Sequence, residues 1–333
     1  MSHRTAGRNL LAILMCLALG CLLGCDPTTG GTPNAGADGA AEHSEGPTIV
    51  SLTPAITQML IDMGKRDQIV GVSKEDDASL GLPVCGSYNN PVIAKIVELE
   101  PDVVLTESPM GQVAHVPPLL RTLADEGVFE LKVIAHSQSI GAVGRALVDA
   151  EVGLGAAVGD PEAAERARRL MALRIELVQS VIKDAKQPRV LMLINPTTLG
   201  AIGTGVTHDE LLRLAGGTNA LSHLHTGYLT LDRAQLQQTI RPDVVLVLEP
   251  NGVALSNGDA RLRAFEGLSI PAVINRRFTV IRHPQVMLPS TALPEVLVEI
   301  ALALHPDRSE AIREAYDTAD LVMKKKASDK DGP

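Results

Sequence analysis

The sequence predicts an α/β protein of two similar lobes with mostly parallel sheets, joined by one long helix. Three observations carry that expectation. The pentapeptide Pro-Asp-Val-Val-Leu occurs twice, at residues 101–105 and 242–246. Each copy follows a short helical pattern and precedes a polar loop, as KIVELE-PDVVL-TESP and QLQQTIR-PDVVL-VLEP. Between the copies, residues 161–186 place Leu, Ile and Val at helical spacing among strong helix formers, with no internal glycine or proline.

The repeat has a local logic. Proline disfavours the α region for the residue before it, so each copy reads as helix, stop, strand. An uninterrupted Val-Val-Leu run suits a strand buried on both faces of a parallel sheet. Ahead of these, residues 49–52 form the first strand. Thr53 then caps a helix with Pro54 at its first position, and Gly64 ends it. Residues 69–72 are the next strand. A loop, CGSYNNP, leads to a short helix and the first repeat. A helix over 118–126, a strand at 131–134 and a helix from about Ser139 complete the first lobe.

The second lobe opens with a strand at 189–194, followed by the loop NPTTLGAIGTG and a helix entered at Thr207. Thr207 and Glu210 have capping-box spacing. Gly216 and Gly217 stop that helix. Strands are expected at 244–248, 272–274 and 279–281, then a closing helix over 294–304. Gly203-Thr204-Gly205 resembles a phosphate loop too loosely to indicate a nucleotide site.

The ends differ from the body. Arg4 and Arg8 precede an apolar run over 10–23, and Leu22-Leu23-Gly24-Cys25 has the form of a lipobox. The run is short for a membrane span, so residues 1–24 read as a lipoprotein signal peptide with Cys25 as the lipidated residue. Cys21 is a weaker rival site. Acyl chains on Cys25 would hold the protein on a bacterial membrane. Residues 25–47 form a polar tether reaching roughly 25 Å as a random coil. The first lobe then spans 48–160, the linking helix 161–187 and the second lobe 188–310. Residues 311–333 comprise a C-terminal helix and a tail expected to be disordered from Lys324.

The formal charge is −9, and losing Arg4 and Arg8 with the signal makes it −11. An acidic body with 2% aromatic residues and no basic stripe argues against nucleic acid. Of four cysteines, Cys16 and Cys21 leave with the signal and Cys25 carries lipid, so Cys85 has no disulfide partner.

The motifs IVSLTPAITQML with IVGVS (49–73), VCGSYNNP and PDVVL (84–105), GTGVTHDELLRLAGGTNAL (203–221), RPDVVLVL (241–248) and LALHP (302–306) resemble the metal-chelate class of bacterial periplasmic binding proteins. These serve ABC importers of cobalamin, ferric siderophores and haem. The resemblance implies two Rossmann-like lobes bridged by one long helix, with ligand in a cleft between them. It implies a monomeric receptor on the extracytoplasmic face, no resident cofactor, and an ABC permease as partner.

In open α/β sheets ligands lie beyond the carboxyl ends of the strands. Loops at 51–53, 73–77, 87–90, 107–115 and His136 would form one wall; 195–198, 223–228, 249–251 and 282–287 would form the other. Thr53, Ser73, Glu107, Asn195, Asn251, Arg282 and His283 are the polar ligand-binding candidates on those loops. Tyr88 and Tyr228 are the strongest candidates. One stands ahead of each repeat, and in the cobalamin-binding branch the corresponding positions carry rings that flank the corrinoid. A phenol offers flat apolar area and a polar tip.

His115, His136, His223, His225 and His283 also fall on cleft loops, where an imidazole could ligate haem iron or cobalt. Solvated loop histidines are commoner, and no fixed ligand spacing appears, so no metal site of the protein's own is assigned. The family's permease-docking acids correspond here to Ala94 and Ala234. Losing both charges weakens complementarity at that interface. A binding or sensor lipoprotein of the same fold that no longer docks on a conventional permease is therefore the alternative. No nucleophile-elbow pattern occurs, which speaks against an enzyme.

Overall fold

The computed structural model describes residues 46–223, 226–256 and 258–328. Cys25, the signal segment, all but the end of the tether, and His225 lie outside them. In chain order the strands are β1 (Ile49–Ser51), β2 (Ile69–Gly71), β3 (Gly86–Ser87), β4 (Asn90–Pro91), β5 (Val103–Ser108), β6 (Glu130–Ala135), β7 (Arg189–Asn195), β8 (Gly200–Ile202), β9 (Thr218–Asn219), β10 (Tyr228–Thr230), β11 (Val244–Leu248) and β12 (Phe278–Ile281). The α-helices are α1 (Pro54–Asp62), α2 (Ile93–Glu98), α3 (Pro118–Asp125), α4 (Ile140–Val148), α5 (Leu154–Ala157), α6 (Pro161–Ile182), α7 (Thr207–Leu214), α8 (Arg233–Gln235), α9 (Pro271–Ile274), α10 (Leu293–Leu304) and α11 (Ser309–Ser328).

The first lobe is a wholly parallel sheet in the order β2-β1-β5-β6, with β3 and β4 as a separate hairpin. The second is a six-stranded sheet in the order β10-β8-β7-β11-β12, with β9 paired to β7. There β7, β9, β11 and β12 run parallel, while β8 and β10 are antiparallel.

The repeat occupies equivalent places. β5 pairs with β1, and β11 pairs with β7. Glu100 and Arg241, which precede the two prolines, both adopt positive φ, 46° and 42°. Leaving αR in this way ends the preceding turn and lets the strand begin. Along the run, Val103, Leu105, Val244 and Leu246 point into one central apolar cluster, whereas Val104 and Val245 point to the opposite faces. That alternation, apolar on both sides, is why no polar residue interrupts the motif.

The central cluster belongs to both lobes. It takes in Ile56 and Leu60 from α1, Val143 from α4, Leu211 from α7 and Val296 from α10, with α6 running through it. Along α6, Ala163, Ala167, Met171, Ile175, Val178 and Ile182 are buried at intervals of three and four. Its 22 residues span roughly 33 Å. Asp160 caps it by accepting from the Ala163 amide at 2.9 Å and pairs with Lys65 at 2.6 Å. α11 covers α6, with Arg174 bonded to Asp320 at 3.0 Å and stacked 4.6 Å over the Tyr316 ring.

Four expectations need correction. Residues 272–274 are not a strand but part of the short helix α9, because Pro271 sets its first turn. The loop after β7 contains strand β8, and Tyr228 opens the edge strand β10. Thr207 is the first helical residue of α7 rather than its cap; Val206 holds that place without a capping bond. Helix α11 continues past Lys324 to Ser328.

Candidate functional site

The carboxyl ends of the first sheet carry a buried polar floor. Thr57 donates its hydroxyl to Ser51 Oγ at 2.9 Å and reaches the Asp76 carboxylate at 3.2 Å. Asp76 also accepts the Ser73 amide at 2.8 Å, and burial raises its pKa. Ser51, Thr53, Thr57 and Ser73 are all nearly inaccessible. Ser73 is thus framework for its loop. Thr53 sits at the N-cap of α1, yet its hydroxyl makes no capping bond and has no hydrogen-bond partner, which departs from the expected cap.

Tyr88 stands at the tip of the β3–β4 hairpin. Gly86 (φ +87°) makes that tight return possible, since a Cβ there would strike the Asn90 carbonyl. Tyr88 and Tyr228 are 47% and 55% exposed, where a packing role would bury most of the ring. Partial burial raises the pKa of Tyr228, keeping its phenol protonated. Tyr316, by contrast, is held by Arg174 and bonds Glu295 at 3.2 Å, which is a packing role.

Past β5 and β6 the chain brings together two residues 29 apart. The two strands end side by side, Ser108 opposite Ala135, and the His136 amide donates to the Ser108 carbonyl at 3.0 Å. Glu107, only 9% exposed, meets His136 Nδ1 through Oε2 at 3.2 Å. The hydrogen bond to that carboxylate raises the pKa of the imidazole. The sequence named both residues but gave no sign of their contact.

The second sheet ends differently. Glu249 is engaged by Arg261 at 2.5 Å, and Arg261 also grips Asp259 at 2.7 Å. Asn195 accepts from the Thr198 amide at 3.0 Å, forming a local turn. Asn251 (φ 57°) and Arg282 are exposed beside each other, the Asn251 amide donating to the Arg282 carbonyl. His283 has both ring nitrogens occupied: Nδ1 accepts from the Gln285 amide at 3.2 Å, so Nε2 carries the proton that goes to Glu295 at 2.8 Å.

His208 and His305 are buried and donate Nε2–H to the carbonyls of Val286 (2.7 Å) and Ala215 (3.0 Å). Desolvation lowers the pKa of both. Among the described residues no three His, Cys, Asp or Glu side chains gather to hold a metal ion. Cys85 is buried and its thiol is pushed up to about 11, which makes it inert.

Among the described residues, hydrogen bonds cross between the lobes. Gln285 donates to Gln58 Oε1 at 2.6 Å, and Glu210 accepts the Ile140 amide at 3.0 Å. Gln58 lies on the helix that leaves the carboxyl end of β1, and Gln285 follows the carboxyl end of β12. Ile140 begins the helix after β6. The loops beyond both sheets' carboxyl ends therefore border one seam. Where α4, α6 and α7 meet, Ile140, Gly144, Met171, Ile175, Glu210 and Leu214 line a groove of about 580 Å³.

No curated protein matches the chain. Residues 49–284, however, match the family described as periplasmic binding protein. The chain belongs to that family. Solved structures share the fold of this binding protein at low sequence identity. A periplasmic haem-binding protein from Pseudomonas aeruginosa is 20% identical with a TM-score of 0.60, over 78% of this chain and 93% of that one. A possible iron-binding, periplasmic solute-binding protein from Staphylococcus epidermidis is 20% identical with a TM-score of 0.63, over 80% and 98%. The periplasmic vitamin B12 binding protein of Vibrio cholerae is 17% identical with a TM-score of 0.59, over 79% and 98%.

Within this binding protein, Ala94 and Ala234 hold the same position, second in the short helices α2 and α8, and both are exposed. Asp232 is occupied in capping α8, in a reciprocal box with Gln235. No helix among the described residues is long and apolar enough to cross a membrane.

Proposed function

We propose that this binding protein captures a metal chelate, cobalamin or a related tetrapyrrole first and a ferric siderophore second, at the seam between its lobes for an ABC importer. The observation that carries the reading is the pair of half-exposed phenol rings, one per lobe, each ahead of the same strand motif in a chain with three tyrosines. Flat amphipathic rings suit the faces of a large macrocycle. Exposed Asn251 and Arg282 supply polar contacts for its periphery. The structural relatives are described as binding haem, iron or vitamin B12, which are chelates or their metal. Lipid on Cys25 would hold the receptor on the membrane.

Calorimetric titration of the soluble body with cyanocobalamin, haemin and a ferric siderophore tests this. Tight binding of one, weakened tenfold or more in Tyr88→Ala and Tyr228→Ala, is the expected result. No binding of any chelate at high micromolar concentration would end the proposal.

The exposed alanines at 94 and 234 favour one qualification. Permease docking here uses contacts other than a pair of acids, or the protein acts as a binding or sensor lipoprotein without a permease. Co-purification with a neighbouring permease, if the genome encodes one, distinguishes the two.

A further inference from the structure

The longest basic run of the chain is Lys324-Lys325-Lys326, and four of its ten lysines fall in the last ten residues. The run lies near the end of α11, whose earlier turns are acidic, with Glu310, Glu314, Asp317 and Asp320. Lys324 and Lys325 are exposed and lie three and four residues beyond Leu321, so the three share a helical face. Leu321 is itself 67% exposed. An apolar side chain among cations on one face suits the boundary between lipid headgroups and acyl chains.

The place of this face in the fold points to the same partner. α11 runs back along α6. Arg308 donates to the Val181 carbonyl at 2.6 Å near the end of α6, and Asp320 meets Arg174 nearer its middle. The lysines therefore come beside the first half of α6. At that end Asp160 caps α6 and holds Lys65, whose carbonyl accepts the Gln68 amide at 3.1 Å. Gly46 lies so close to Gln68 that a Cβ on it would strike that side chain. The chain leading back to Cys25 thus leaves the body at the end of α6 where the lysines stand. The arginines in the first turns of α6 are already matched, Arg166 with Glu162 and both Arg168 and Arg169 with Glu165.

We propose that the basic end of α11 sits on the anionic phospholipid headgroups of the bilayer that holds the anchor, and so orients the body. The inference rests on the lipid-anchor reading above. A flexible tether limits distance without setting orientation, so a second contact is needed to fix it. The formal charge of −11 on the mature chain repels an anionic surface, but salt screens that field beyond about 8 Å. Charges inside that layer decide, and three lysines at the surface favour binding roughly 100-fold together. In this orientation the amino end of the first sheet faces lipid and its carboxyl end, with the ligand loops, faces away.

The test uses the mature full chain carrying Cys25→Ser, so that no acyl chain contributes. It is sedimented with vesicles of phosphatidylcholine, alone or with a third of phosphatidylglycerol, at low and high salt. Binding is expected to the mixed vesicles only and to fall as salt rises. Combining Lys324→Gln, Lys325→Gln and Lys326→Gln should weaken it roughly 100-fold, with circular dichroism unchanged. Lys183→Gln with Lys186→Gln, at the far end of α6, should leave it intact. No binding, equal binding to both vesicles, or a triple variant that binds like the parent would overturn the proposal and leave the anchor standing. Mass spectrometry of the wild-type chain reports the anchor separately: no acyl mass on Cys25 would overturn the anchor and the orienting role with it.

Discussion

In the first lobe Asp102 accepts the Thr48 amide at 2.9 Å; in the second Asp243 accepts the Arg189 amide at the same distance and the same separation of 54 residues. The aspartate of each repeat thus anchors the start of the neighbouring strand. Beyond that ladder the lobes part. From β1 the chain turns directly into α1, whereas from β7 it first returns as antiparallel β8. Tyr88 consequently rides a hairpin tip and Tyr228 an edge strand. The first lobe leaves a nitrogen of His136 open beside a buried carboxylate, while the second neutralises Glu249 and Asp259 with Arg261. The two lobes share the hydrogen-bonded frame, where register tolerates little, and differ in the loops beyond it.

Four measurements would break or sharpen this comparison. The largest effect is expected from Leu105→Ala and Leu246→Ala, equivalent residues that are both fully buried in the shared cluster. Each should lose about 2–5 kcal/mol in denaturant titrations. Because the cluster spans the lobes, unfolding should stay one transition; two separated transitions would show that the halves are energetically independent.

Acid should reveal an asymmetry. His208 and His305, both in the second half, have pKa values depressed by burial. The unfolded chain then binds protons first, so their contribution to stability is full above the unfolded histidine pKa near 6.5 and declines as pH falls through it. The slope approaches about 1.4 kcal/mol per pH unit for each ring. Stability measured at pH 7, 6 and 5 should fall, and His208→Gln should flatten the fall. A flat profile in the wild type would mean that neither ring is kept neutral.

Asp102→Ala and Asp243→Ala each remove an ionised acceptor from a backbone amide, and should lose about 1.5–3 kcal/mol if the ladder is equivalent. A difference larger than that range would limit the equivalence to geometry. The smallest effect belongs to the seam. Glu210→Ala deletes one bond to the Ile140 amide and should lower stability by roughly 1 kcal/mol. No change would mean that water replaces the carboxylate there.

Much of the frame was legible in the sequence because it rests on local rules. Pro101 and Pro242 start strands, Ser139 caps α4 through the Ala142 amide, and Gly64 takes positive φ after α1. Expectations failed where tertiary context decided. Gly200-Ala201-Ile202 looks like loop because glycine and threonine surround it, yet β7 and β10 flank it as a strand. Ala272-Val273-Ile274 has strand-forming side chains, but Pro271 starts a helical turn there.

The site was less legible than the frame. Exposure of Tyr88 followed from its loop, whereas that of Tyr228 comes from its place on the edge strand β10. The inaccessibility of Ser73 did not, because its loop's partners Thr57 and Ser51 come from a different strand–helix junction. Nor did any spacing announce that Glu107 and His136 touch, since only the parallel pairing of β5 with β6 aligns them. Glu210 matched a capping pattern locally and instead serves the opposite lobe.

The apolar cluster threaded by α6 limits how this receptor can move. A wide clamshell swing would have to pull Val190, Val244 and Ile281 away from Ile56, Val103 and Val143, wetting surface at about 12 kcal/mol per 500 Å². Cargo is accordingly met by a nearly preformed vessel whose rims adjust, and a transporter sensing occupancy would have to feel those rims rather than a change in overall outline. Solution scattering curves of the empty and loaded protein should nearly superimpose.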